Sequence, residues 1–189
     1  MDKGDYLTTI LRSEKTVFSV TDIVILWREE NIKATRVRLN YYVKKGDLYR
    51  IRRGLYAKET NYDKSELAVE IFTPAYVSFE TVLAKEGLIF QYQERMTVAS
   101  YLTREIEVDG QKYIFRKIKD SVLVNSMGVK HTNNTSVATA ERALLDTLYF
   151  GDYQIDNFRG INWETVFEIL PIYKNKRLAK TVSDLRKLK

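Results

Sequence analysis

Residues 33–57 read KATRVRLNYYVKKGDLYRIRRGLYA, and a change of pattern inside this stretch decides the fold. In its first half Val37, Leu39, Tyr42 and Val43 recur at helical spacing. With Thr35 as the expected cap, they predict a helix ending at Gly46, a residue type that tolerates the positive φ of a helix terminus. From Leu48 the period changes to two through Leu48-Tyr49-Arg50-Ile51-Arg52. A turn at Arg53-Gly54 and a return strand Leu55-Tyr56-Ala57 follow. Upstream, Leu7, Ile10 and Leu11 fall at helical spacing. The run from Ile23 to Trp27 follows Thr21 and Asp22, which offer a cap and a first-turn acid. The expected order is helix, helix, helix, hairpin.

The same stretch carries the densest charge in the chain. Residues 33–53 hold eight basic side chains (Lys33, Arg36, Arg38, Lys44, Lys45, Arg50, Arg52, Arg53) against the single acid Asp47. The 189 residues carry a formal net charge of +6. That total divides unevenly, with net +5 over residues 1–57, −5 over 58–173 and +6 over 174–189. A basic cluster this dense is the electrostatic footprint of phosphate binding. Three helices followed by a basic hairpin make a winged helix-turn-helix, whose third helix enters the major groove while the wing meets the backbone or minor groove. In this reading Arg36, Arg38 and Asn40 face base edges, and Thr35 and Lys44 are further DNA contacts. Lys33, Lys45, Arg50, Arg52 and Arg53 mainly face phosphates. The competing reading makes Tyr41, Tyr42, Tyr49 and Tyr56 a small core kept soluble by the arginines. Basic helix and basic hairpin together favour double-stranded DNA.

Residues 58–64 are polar and aperiodic and are read as a linker, separating a DNA-binding domain at 1–57 from a second domain at 65–189. In the second domain Ser65 and Ser78 are expected to cap helices, the first stopped by Pro74 and the second by Gly87. Strands are expected at 96–101, at 104–108 and 112–118 around the Asp109-Gly110 turn, and at 122–124. Thr139 and Asn162 are read as caps of two further helices. The expected fold class is α+β. In the tail, Leu178, Val182 and Leu185 mark a docking face. Lys176, Lys180, Ser183 and Lys187 form the opposite stripe, and its three lysines are a possible second DNA contact.

Composition argues against catalysis. There is no cysteine and one histidine, His131, placed in a polar loop, so neither a thiolate nor a Cys- or His-rich metal set is available. Glu141 and Asp146 stand about 140° apart round one helix, too far for a carboxylate pair. No glycine-rich phosphate loop or hydrolase motif occurs. No catalytic residue, metal or cofactor is expected. The absence of a long apolar run predicts a cytoplasmic protein with no membrane partner.

Four motifs carry a family resemblance: Lys44-Lys45-Gly46-Asp47-Leu48 with Arg52-Arg53-Gly54-Leu55-Tyr56-Ala57; Tyr76-Val77-Ser78-Phe79-Glu80-Thr81-Val82-Leu83; Gly87-Leu88-Ile89; and Val137-Ala138-Thr139-Ala140-Glu141-Arg142-Ala143-Leu144-Leu145-Asp146. In this order they resemble the AbiEi antitoxins of bacterial abortive-infection systems, over residues 17–150. The resemblance implies an N-terminal winged helix followed by a mixed α+β antitoxin domain. It also implies repression of the protein's own toxin–antitoxin operon through operator DNA, and neutralisation, without a stable complex, of a nucleotidyltransferase-like toxin that serves phage defence. The residues after Phe150 match none of these motifs. The alternative function is a protein-interaction module whose acidic middle binds a basic partner, with the winged helix as scaffold.

Overall fold

The computed structural model describes residues 5–91, 94–132, 134–151 and 154–187. The first four positions, Asn133 of the expected polar loop and the last two positions of the tail lie outside the described residues. The chain divides into two compact units, Met1–Ile71 and Phe72–Lys189.

Among the described residues, the first unit runs α1 (Asp5–Arg12), β1 (Val17–Ser19), α2 (Val20–Trp27), α3 (Ile32–Lys45), β2 (Tyr49–Arg52), β3 (Leu55–Ala57) and α4 (Lys64–Ile71). The three strands form an antiparallel sheet in the order β1-β3-β2. This is a winged helix-turn-helix. Strand β1 was not expected, because three residues are too few to show a period of two. The core gathers Ile10, Phe18, Ile23, Trp27, Leu39, Tyr42, Leu48 and Tyr56. The Trp27 indole N–H donates to the Tyr6 carbonyl at 2.8 Å, so its polar tip is satisfied.

Two expected caps are corrected. Helix α2 is capped by Ser19 rather than Thr21, through a reciprocal box in which the Asp22 amide donates to Ser19 Oγ and the Ser19 amide donates to Asp22 Oδ2. Helix α3 is capped by Asn31, whose side-chain oxygen accepts from the amides of Lys33 and Ala34. Thr35 lies inside the helix, buried, with its hydroxyl on the Asn31 carbonyl. Gly46 ends α3 in the left-handed region at φ +82°, as expected.

Charged side chains tie β1 to its surroundings. The buried Glu66 carboxylate of α4 accepts from the Thr16 amide at 2.6 Å, the Thr16 hydroxyl at 2.8 Å and the Val17 amide at 2.8 Å. Lys15 bridges Asp22 and Glu70. Burial opposes charge on Asp22, but hydrogen bonds from Lys15 and Ser19, with the Lys15 charge, hold its carboxyl below the usual aspartate range. The stability Asp22 contributes is therefore present above about pH 4, the unfolded value. It is lost as pH falls through the lower folded value. Asp22→Asn is expected to cost about 1 kcal/mol at neutral pH. Its melting temperature should converge on the parent's as pH falls below 4, and a constant gap down to pH 2 would contradict the charge assignment.

Among the described residues, the second unit runs β4 (Ala75–Val77), α5 (Glu80–Lys85), β5 (Arg95–Ser100), β6 (Arg104–Val108), β7 (Gln111–Lys117), α6 (Asp120–Leu123), β8 (Val129–His131), β9 (Ser136–Ala138), α7 (Ala140–Phe150), α8 (Trp163–Ile169), a 3-10 turn (Leu170–Tyr173) and α9 (Lys176–Lys187). Its six-stranded mixed sheet has the order β6-β7-β5-β4-β9-β8. The β6–β7 hairpin turns at Asp109 and Gly110, both at positive φ, where the sequence placed it. Residues 122–124, expected as a strand, belong instead to α6 and its end. Helix α4 starts at Lys64, and the Asp63 carboxylate rather than Ser65 takes the free amide, that of Ser65. His131 lies on β8, exposed, its Nδ1 2.9 Å from Ser136 Oγ.

Helix α7 packs against α5, α8 and α9, and every residue from Arg142 to Leu148 is buried. Thr139 caps it, as expected, accepting from the Arg142 amide. Two of its buried residues are charged and form an i,i+4 pair, with Arg142 Nε donating to Asp146 Oδ1 at 3.3 Å. The guanidinium also donates to the carbonyls of Val122 (2.7 Å) and Met127 (2.6 Å) and to the Tyr76 hydroxyl (2.9 Å). Asp146 accepts in turn from Ser78 (2.7 Å), Tyr173 (2.6 Å) and Tyr76 (3.2 Å). Ser78 is thus a partner of Asp146 and not the expected cap. Burial pushes the Asp146 carboxyl up against the pull of Arg142 and these donors, and raises the hydroxyls of Tyr76 and Tyr173. Gly128, at φ +71°, sits so close to this cluster that a Cβ would lie 2.8 Å from Arg142 Cβ and 2.7 Å from Ile169 Cδ1. Only glycine fits there.

Candidate nucleic-acid interface

Helix α3 buries Thr35, Leu39 and Tyr42 and turns its opposite side to solvent. At 100° per residue, Lys33, Val37, Asn40 and Lys44 fall within about 60° of arc, with Arg36 on one flank and Tyr41 on the other. All six are exposed. Among the described residues, no acidic side chain pairs with Lys33, Arg36 or Lys44. Helix, cap and core therefore present cations and one amide along a single face, free to meet an external partner.

Two expected readers are turned elsewhere. Thr35 is buried, so its hydroxyl is spent inside the helix. Arg38 lies with its guanidinium 3.7 Å from the centre of the Tyr6 ring and 5.6 Å from that of Trp27, and it pairs with Glu29 at 3.4 Å. Its place on the wheel, beside the core stripe, makes it a cation–π clamp between α3 and α1. Lys45 is exposed and pairs with Asp47 at 3.2 Å.

The wing follows the alternation of a strand. Arg50 and Arg52 point to solvent while Tyr49 and Ile51 are half-buried. A bulge shifts the register between Arg50 and Arg52, which pair with Tyr56 and Leu55. Arg53 and Gly54 make the turn, Gly54 at φ +84°. Arg50, Arg52 and Arg53 are all exposed, and among the described residues none is paired with an acid.

In α9, Leu178 and Val182 are buried as the spacing predicts. Lys176, Lys180 and Lys187 are exposed within about 40° of arc, Lys187 being 3.8 Å from Asp184. Arg177 points away from this stripe and donates to the carbonyls of Leu148 and Tyr149, at the C-terminal end of α7.

The sequence reading gives no contact to Val37 or Tyr41, which are 70% and 58% exposed. Val37 had been counted among the periodic apolar residues. A wheel centred on Leu39 and Tyr42 places it on the far side, and that was the signal available.

Three helices, a three-stranded sheet with its basic hairpin and a cationic face without acidic partners among the described residues define the first unit as a winged helix-turn-helix. Residues 5–57 match the family model described as "Transcriptional regulator, AbiEi antitoxin". No curated protein matches the chain. Among the described residues, no helix is long and apolar enough to cross a membrane.

Proposed function

We propose that this protein is the antitoxin of a bacterial abortive-infection pair, acting in the cytoplasm and without catalysis. It binds operator DNA before its own operon through α3 and the wing, represses that operon, and counteracts a nucleotidyltransferase-like toxin. The observation that carries the DNA-binding part is the set of exposed groups in one compact unit that have no acidic partner among the described residues: Lys33, Arg36, Asn40 and Lys44 on α3, and Arg50, Arg52 and Arg53 on the wing. The family match of residues 5–57 supports the regulatory part. Lys176, Lys180 and Lys187 supply a second stripe for flanking phosphates.

The test is a gel shift of the full chain on the DNA upstream of its own gene. A shift that survives excess unrelated duplex supports operator recognition, and equal competition by unrelated DNA contradicts it. Reversing the tail stripe (Lys176→Glu, Lys180→Glu, Lys187→Glu) leaves the buried Leu178 and Val182 in place. It is expected to weaken binding at least tenfold at low salt, since each phosphate contact contributes about −0.9 to the slope of log K on log salt. An unchanged affinity would assign the stripe to solubility.

A further inference from the structure

Large apolar side chains on an otherwise cationic helix face need an explanation of their own. Val37 and Tyr41 are one turn apart, 70% and 58% exposed, and are surrounded by Lys33, Arg36, Asn40 and Lys44. A second copy of the same face is a poor cover for them, because closing two such patches together would bring the lysines and Arg36 of each copy into like-charge contact. An anionic surface that also offers apolar groups satisfies both parts of the pattern. The major groove of DNA does so, since each thymine projects a 5-methyl group between two rows of phosphates.

We infer that Val37, with Tyr41 beside it, is a specificity-determining residue that reads thymine 5-methyl groups in the major groove. The operator then carries thymine at fixed positions next to the base pairs met by Arg36 and Asn40. This inference rests on the DNA-binding reading proposed above and adds the identity of the base. Val37 lies in the N-terminal half of α3, the part of a recognition helix that reaches base edges. Its side chain offers only methyl groups, so its discrimination is between a methyl and none. Lys33 and Lys44, a turn or two away along the same face, suit the flanking phosphates.

The experiment begins with duplexes selected from a random pool by the full chain at moderate salt. Each thymine of the selected site is then replaced by uracil, which removes the 5-methyl group and leaves the pairing edge unchanged. Wild-type protein is expected to lose about fourfold in affinity at one or two positions, the value of one buried methyl. Val37→Ala is expected to bind the thymine duplex more weakly by a similar factor and to be indifferent to uracil at one of those positions. Val37 is exposed, so this change should leave the fold intact, which a melt verifies. If the wild-type protein ignores uracil everywhere, the inference falls while DNA binding stands. If Val37→Ala loses affinity equally on thymine and uracil duplexes, or alters self-association alone, methyl reading is also overturned. If the pool yields no enriched sequence and no binding, the DNA-binding reading itself fails.

Discussion

Leucine in place of Arg142 is expected to destabilise the second unit by about 3–5 kcal/mol, the cost of leaving a buried charge without its partner. Asp146 would keep its tyrosine and serine donors but lose the only cation that touches it among the described residues. The Met127 carbonyl would lose the N–H group that satisfies it, and the Val122 carbonyl would keep the Asn125 amide. Urea unfolding followed by circular dichroism measures the loss. Adding Asp146→Leu removes the stranded charge, so the double variant is expected to regain at least about 1 kcal/mol over Arg142→Leu. A double variant no better than the single one would mean that the lost carbonyl hydrogen bonds, and not the charge, set the cost.

The second large effect concerns the wing. Replacing Arg52 and Arg53 by alanine is expected to reduce the slope of log K on log salt by about 1.8, at 0.9 for each phosphate contact. The corresponding loss of affinity is about 60-fold at 0.1 M salt and about 12-fold at 0.25 M, and it vanishes towards 1 M. Arg38→Ala provides the contrast, since its guanidinium stacks on Tyr6 inside the protein. It should lower the melting temperature and leave the salt slope alone. Equal slopes for the wing variant and the parent would remove Arg52 and Arg53 from the interface.

These contrasts mark where the sequence was legible. The change from a helical period to a period of two at Gly46 located α3 and the wing, and Thr139, Asn162 and the Asp109-Gly110 turn fell where local chemistry put them. Strands β1, β4, β8 and β9 were not expected, being three residues each; β1 and β4 are held by partners more than 20 residues away, while β8 and β9 form a short hairpin that β9 joins to distant β4. The surface residues divided on rotation about one helix axis. Eight of the ten expected contacts of the first unit are exposed, but Thr35 and Arg38 sit on the wrong side of α3. The wheel places Arg38 beside the core stripe, but no local pattern shows that its neighbour there is a tyrosine ring in another helix. Arg142 and Asp146 escaped for a related reason. Reading their helix for amphipathicity assigns charge to the outside, whereas a helix covered on several sides carries its charges inward and must satisfy them there.

The hydrogen bonds of Glu66 bear on where this molecule can be cut. The family match stops at residue 57, at the last residue of β3, and a fragment trimmed to that point would look like a whole winged helix. It would lack α4, and with it the carboxylate that accepts from the amides of Thr16 and Val17, as well as the Glu70 partner of Lys15. The amides of Thr16 and Val17, at the start of β1, would then lose the acceptor that the chain gives them. The compact unit extends beyond the matched residues, and a fragment of the first unit intended to stand alone should run to Ile71.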